Sequence, residues 1–137
     1  LDIDYFKSIN DRFGHAGGDA ALLSFTRAIT ADLRDQDLFG RMGGEEFAIV
    51  APIAQQQDAL SLAERLRRRV EIESITMPAG TSLQITVSIG MVTCIGGSGQ
   101  NLDNLLKIAD LAVYKAKNSG RNRVATPELL SRAYTDL

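Results

Sequence analysis

Apolar positions recur along this chain with two different periods, and the change from one to the other marks out its elements. Leu22, Phe25, Ile29 and Leu33 fall three or four apart, which predicts a helix from Gly18 to Arg34. Ala59, Leu62, Ala63, Leu66 and Val70 repeat that spacing between Asp58 and Glu73, with Arg65, Arg67, Arg68 and Arg69 mostly on the outer face. Leu102, Leu105, Leu106, Ala109, Val113 and Ala116 predict a further helix, stopped by Asn118-Ser119-Gly120. Elsewhere the pattern is strand-like. Leu1 and Ile3 alternate with Asp2 and Asp4 as at the end of a strand, and YFKSINDRFGH then predicts a tight turn and a short helix closed by Gly14. Residues 38–42 and 47–53 read as two strand arms around Gly43-Gly44, a hairpin signal. FAIVA at 47–51 is apolar at every position, which predicts a central strand covered on both faces. LQITVSIGMVTC at 83–94 predicts a strand with Gly90 as a bulge, and residues 123–125 a last short strand. The order β-α-α-β-β-α-β-α-β describes an α+β fold, a mixed central β-sheet covered by helices, and a ferredoxin-like palm satisfies it.

Composition narrows the function classes. A chain of 137 residues suits one domain, and 45% hydrophobic with 23% charged residues is ordinary for a water-soluble globular protein. A net charge of −2 leaves no broad basic face, so no nucleic-acid partner is expected. No apolar run approaches membrane-spanning length and no leader pattern is present, so a cytoplasmic location without direct membrane contact is expected. Cys94 is the single cysteine and lies in an apolar run, which predicts a buried structural thiol. The chain opens on LDID with no preceding cap or helix, as a fragment of something longer would.

The candidate chemistry lies at the ends of the strands. Asp2 ends one strand, and Glu45 and Glu46 sit at a hairpin tip that can neighbour it in a palm. Three carboxylates on one edge would suit Mg²⁺, which takes a few carboxylates and completes its shell with water and phosphate; the alternative is a solvated turn. Tyr5-Phe6-Lys7 follows the Asp2 strand directly, so its backbone N–H groups can form an anion nest. Lys117 and Arg121 can reach the same anion, or simply complement a helix C-terminus. Asn10 and Asp19 offer an amide and a carboxylate for a purine edge, or serve as caps.

Taken in order, these stretches carry a resemblance. DIDYFKSINDRFGHAGGD at 2–19, RMGGEEF at 41–47, SIGMV at 88–92 and ADLAVYKAKNSGRN at 109–122 resemble the successive signature blocks of the GGDEF family, the diguanylate cyclases, with GGEEF as the common hairpin variant. The likeness runs from Asp2 to about Val124. It implies a nucleotidyl cyclase type of palm over residues 1–125, followed by a C-terminal tail at 126–137. The family ordinarily begins earlier, with a helix carrying a DxLTGLxNRR-type motif and the rest of the first strand; neither is in this sequence, nor is any N-terminal regulatory domain.

The resemblance implies roles residue by residue. Asp2, Glu45 and Glu46 would be the catalytic carboxylates. Asp2, the Ile3 carbonyl and Glu45 would ligate Mg²⁺ or Mn²⁺, with Glu46 near a second ion of the same site. Tyr5, Phe6, Lys7, Lys117 and Arg121 would bind phosphates of GTP, Gly43 and Gly44 would lie over the nucleotide, and Asn10 and Asp19 would read guanine. His15 matches the family's GH pair, with a structural role. The reaction implied joins two GTP into cyclic di-GMP and two pyrophosphates, each 3′-hydroxyl attacking the other α-phosphate across a homodimer. RDQD at 34–37 matches the family's RxxD inhibitory site for the product, with Arg34 and Asp37 as primary residues and Arg65 as a secondary arginine. Two alternatives follow: a GGDEF domain without turnover that serves as a cyclic di-GMP or GTP receptor, and a related cyclase with another dinucleotide product, which Asn10 and Asp19 disfavour. The implied setting is the cytoplasmic part of a longer sensor protein.

Overall fold

The computed structural model describes residues 1–127. The predicted tail at 126–137 therefore lies mostly outside the described residues. The elements are β1 (Asp2–Ile3), α1 (Phe6–Asp32), β2 (Leu38–Gly43), β3 (Glu46–Val50), α2 (Gln56–Ile72), β4 (Ile75–Thr76), β5 (Ser82–Leu83), β6 (Val87–Gly90), α3 (Leu102–Asn118) and β7 (Val124–Ala125). Five strands form the main sheet in the order β2-β3-β1-β6-β7, and β4 pairs with β5 alone. All pairings in the main sheet are antiparallel except β6 with β7, so the sheet is mixed, as expected.

Register divides the chemistry from the core. Asp2 pairs with Glu46 and with Ser88, and Ile3 pairs with Val87. Because side chains alternate along a strand, Ile3, Phe47, Val87 and Ile89 share one face, and Asp2, Glu46 and Ser88 share the other. The first set joins Phe25 and Ile29 of α1 and Leu66 and Val70 of α2 in the core. Phe47 lies 4.8 Å from the Phe25 ring and 5.4 Å from the Phe39 ring, and Phe25 is 1% exposed. Truncating a fully buried phenylalanine of this kind costs about 3–5 kcal/mol. The other face receives α3.

Several expectations are corrected. The helix predicted from Gly18 begins earlier: α1 is two helical segments that meet at a break at Gly14, where φ is 73° and ψ 179°, and the first is the short helix expected to close there. β3 is not the central strand. That place belongs to β1, which pairs only with the first part of β3. Val50 is thus 46% exposed, and Ile49 and Val50 line an apolar cleft with Leu62, Leu66, Leu102 and Leu105. The strand predicted over 83–94 divides into β5 and β6 and ends at Gly90. Gly90 is no bulge: it pairs regularly with Ala125, and a Cβ there would meet the Ala109 carbonyl at 2.1 Å and the Val113 nitrogen at 2.6 Å. Its bare backbone is what lets α3 press on the sheet. The irregular register lies between Arg41 and Gly43. Cys94 is exposed, because the chain has left the sheet before reaching it.

Candidate active site

Asp2 is the centre of the polar face. Its carboxylate is buried, Lys117 Nζ of α3 meets Oδ2 at 2.9 Å, and Oδ1 is fully enclosed with no hydrogen-bond partner. An orphaned buried carboxylate oxygen is costly unless something positive completes it. Burial raises the Asp2 pKa above its ordinary value, and the hydrogen bond and charge of Lys117 oppose that rise.

The hairpin delivers the other acids. The Ile3 N–H donates to the Glu45 carbonyl at 3.2 Å, which holds the turn against β1, and the Glu45 charge is felt at Asp2. Gly43 and Gly44 have φ of 158° and 50°, and Arg41 Nε closes the turn on the Gly44 carbonyl at 2.8 Å. The left-handed backbone at Gly44 is one that a Cβ would strain. Glu46 faces the same side as Asp2 by register, but it is exposed. The expected gathering of Asp2, Glu45 and Glu46 is not closed here: among the described residues no three His, Cys, Asp or Glu side chains stand at metal-binding spacing. Lys117 supplies the positive charge at Asp2 instead.

A helix start suited to an anion borders this carboxylate. Tyr5 adopts a left-handed backbone with φ of 56° and caps α1, whose first ladder bond runs from the Ile9 N–H to the Tyr5 carbonyl at 3.1 Å. A non-glycine residue there costs about 1–2 kcal/mol, and the sharp entry leaves the N–H groups of Phe6 and Lys7 in the unpaired first turn. Helix starts of this kind favour anions. The Arg121 guanidinium stacks over the Tyr5 ring at 4.6 Å from its centre. Lys117 at the end of α3 and Arg121 just after it therefore flank Asp2 and Tyr5.

A glycine brings Asn10 against the residue that precedes Asp19. Gly18 is buried, and a Cβ there would lie 1.9 Å from Asn10 Oδ1. The amide of the first helical segment thus rests on bare backbone next to Asp19, which is exposed. Asp19 lies past the first turn of the helical segment that follows the break at Gly14, so capping does not explain it.

At the far end of β2, Arg34 and Asp37 pair with each other. Asp37 accepts the Arg34 N–H at 2.8 Å and its Nη2 at 3.2 Å, and Arg34 Nη2 also donates to the Pro52 carbonyl at 2.6 Å. The Arg34 backbone bond, foremost, holds the Asp37 carboxyl below its usual range. Arg65 lies nearby, its Nη2 donating to the Asp32 carbonyl at 3.2 Å. The three residues are thus neighbours on one surface, across the hairpin from Gly43-Gly44.

Two residues with no assigned role stand out. Asp4 is buried and accepts from Thr86 Oγ1 at 2.7 Å and Ser88 Oγ at 2.6 Å. It also accepts the backbone N–H of Asn122 at 3.0 Å. Arg67, expected to face outward, is instead largely buried against Glu64, Glu71 and Asn122. Only the polar i, i+4 spacing of Arg67 and Glu71 hinted at it.

A mixed palm carrying an underpaired carboxylate, a glycine hairpin, a helix start and two cations offers an anionic ligand free N–H groups and positive charge. The chain belongs to the GGDEF family: the family described as diguanylate cyclase, GGDEF domain, matches residues 1–123. The probable diguanylate cyclase DgcF of Escherichia coli K12 is 43% identical over 134 residues, which covers 92% of this chain and 41% of that protein. The chain therefore spans less than half the length of that relative. Among solved structures, the GGDEF domain of PA1120 (TpbB or YfiN) from Pseudomonas aeruginosa superposes with a TM-score of 0.85 at 34% identity, covering 99% of this chain and 78% of that one. The GGDEF domain of DgcB from Caulobacter crescentus in complex with c-di-GMP gives 0.82 at 30% identity, covering 93% and 74%. The palm expected from the sequence is the fold of these neighbours.

Proposed function

We propose that this chain is the catalytic domain of a diguanylate cyclase, joining two GTP into cyclic di-GMP with release of two pyrophosphates. The observation that carries the reading is the enclosed, unpartnered Oδ1 of Asp2, set between the hairpin and the Tyr5-Phe6-Lys7 helix start. Asp2, the Ile3 carbonyl and Glu45 would hold Mg²⁺ or Mn²⁺, with Glu46 beside a second ion, and such ions lower the hydroxyl pKa and neutralise developing charge. The chain's own residues do the rest. The N–H groups at Phe6 and Lys7, with the Lys7, Lys117 and Arg121 side chains, take the β- and γ-phosphates. Lys117, paired with Asp2 at 2.9 Å, would be free to take phosphate where Asp2 holds an ion. Asn10 and Asp19 orient guanine through donors and acceptors that adenine does not match. Gly43-Gly44 admits the nucleotide against backbone. Each domain carries one GTP, so two chains must face each other before either 3′-hydroxyl reaches an α-phosphate.

The surface formed by Arg34, Asp37 and Arg65 is read as the product site, with guanidinium forks for phosphate and base edges. Its place across the hairpin from the GTP residues supports product inhibition without competition. The test is Glu45→Ala and Asp2→Ala, assayed for product and by circular dichroism. Loss of synthesis with the fold kept is expected. Parental activity in either variant refutes the ligand assignment.

A further inference from the structure

Arg121 can reach the helix start at Tyr5 only because the chain after α3 turns through an unusual backbone. Gly120, Arg121 and Asn122 have φ of 119°, 62° and 44°, three successive residues in the left-handed half of the map. For Arg121 that is a disfavoured geometry that persists only where neighbours enforce it, while asparagine adopts it more readily. The neighbours are specific. The Asn122 N–H donates to Asp4 Oδ2 at 3.0 Å, its side-chain Nδ2 donates to Glu71 Oε1 at 2.9 Å, and its Oδ1 accepts from Arg67 Nη1 at 2.9 Å. Asp4 is itself fixed by Thr86 and Ser88, and it directly precedes Tyr5, over whose ring Arg121 lies.

We propose that Asn122 is a positioning residue: it clamps the turn after α3 to Asp4 on one side and to the Arg67–Glu71 pair of α2 on the other, and so holds Arg121 over Tyr5 ready for substrate phosphate. The clamp needs an amide, because one partner donates and the other accepts. The bond from Asn122 is the leading cause of the lowered Glu71 pKa, which agrees with a well-formed contact. The last step rests on the reading that Arg121 binds GTP phosphate; the clamp itself does not.

Asn122→Gly keeps a residue suited to positive φ but removes the side-chain anchor. GTP affinity by calorimetry should fall about tenfold, with the melting temperature nearly unchanged and the fall vanishing in an Arg121→Ala background. N122D sets a carboxylate against Glu71 and should weaken GTP binding likewise; N122D/E71Q restores one donor and one acceptor and should recover it. Independently of nucleotide, the ring-current shift that Tyr5 imposes on the Arg121 side-chain protons should disappear in N122G and N122D and return in the double variant. Equal loss of GTP affinity with and without Arg121, or a folded N122D/E71Q with neither affinity nor ring-current shift restored, overturns the proposal. If Arg121→Ala alone leaves GTP affinity unchanged, the phosphate role fails while the ring-current result still decides the clamp.

Discussion

Replacing Lys117 by methionine tests how the site pays for its buried acid. The substitution keeps an apolar stem on α3 but removes the cation bonded to Asp2 at 2.9 Å. Removing one partner of a buried pair typically costs about 3–5 kcal/mol. The Lys117 side chain is 30% exposed against 7% for Asp2, so solvent screens part of the interaction, and about 1–3 kcal/mol is expected. For a domain of this size that is a fall of roughly 4–12 °C in melting temperature. The sign with pH follows from the raised Asp2 pKa, which the substitution raises further. A folded state that holds its proton more tightly than the unfolded chain is favoured in acid. The deficit of Lys117→Met should therefore shrink below the unfolded carboxylate value of ~3.9 and grow as pH rises through the folded pKa. Adding Asp2→Asn should remove both the deficit and its pH dependence. Mg²⁺ without nucleotide should stabilise Lys117→Met more than the parent, because Asp2 is then free to ligate. Thermal melts across pH and Mg²⁺ concentration read all of this. A variant as stable as the parent at neutral pH and indifferent to Mg²⁺ would refute the view that Lys117 stands in for the ion.

Other outcomes follow from the same geometry. Asp19→Ala should weaken GTP binding by about 1–3 kcal/mol while leaving stability almost untouched, since the carboxylate is exposed; equal competition by ATP in the parent would remove the guanine role. Arg34→Ala should relieve the slowing of progress curves as product accumulates, and calorimetry should lose a product site that GTP does not compete for. The Asp37 carboxylate contributes stability above its unfolded pKa that is lost as pH falls through the lower folded value, and Arg34→Ala should diminish that acid dependence. Gly90→Ala should cost roughly 1–3 kcal/mol or more, measured by denaturant unfolding, because backbone of α3 stands 2.1 Å from the new carbon.

The helices were legible because each buries a continuous stripe: Phe25 and Ile29, Leu66 and Val70, Ala112 and Ala116 all point inward. The hairpin was legible because glycine at 43 and 44 interrupts two strand-like arms. β4 has no counterpart in the sequence pattern and β5 is run together with β6, since the pairing of Ile75 with Leu83 that defines them is a tertiary fact. The length of β6 was overestimated for a related reason: β-branched residues beyond Gly90 looked like strand, but β7 offers only Val124 and Ala125 to pair with. At the site, β1, the hairpin and α3 are neighbours, with Lys117 on Asp2, but Asp2, Glu45 and Glu46 do not close into one cluster among the described residues. The ion pair of Asp2 with Lys117 and the clamp through Asp4, Asn122 and Arg67 were illegible, because polar contacts across more than fifty positions leave no local pattern.

The central claim is tested most directly by incubating the protein with GTP and Mg²⁺ over a range of protein concentrations and resolving the nucleotides by chromatography. Cyclic di-GMP should form with two pyrophosphates released per product, at a rate per chain that rises with protein concentration as two half-sites meet. GTP that binds yet returns unchanged at every concentration would contradict the account and leave a receptor domain in its place.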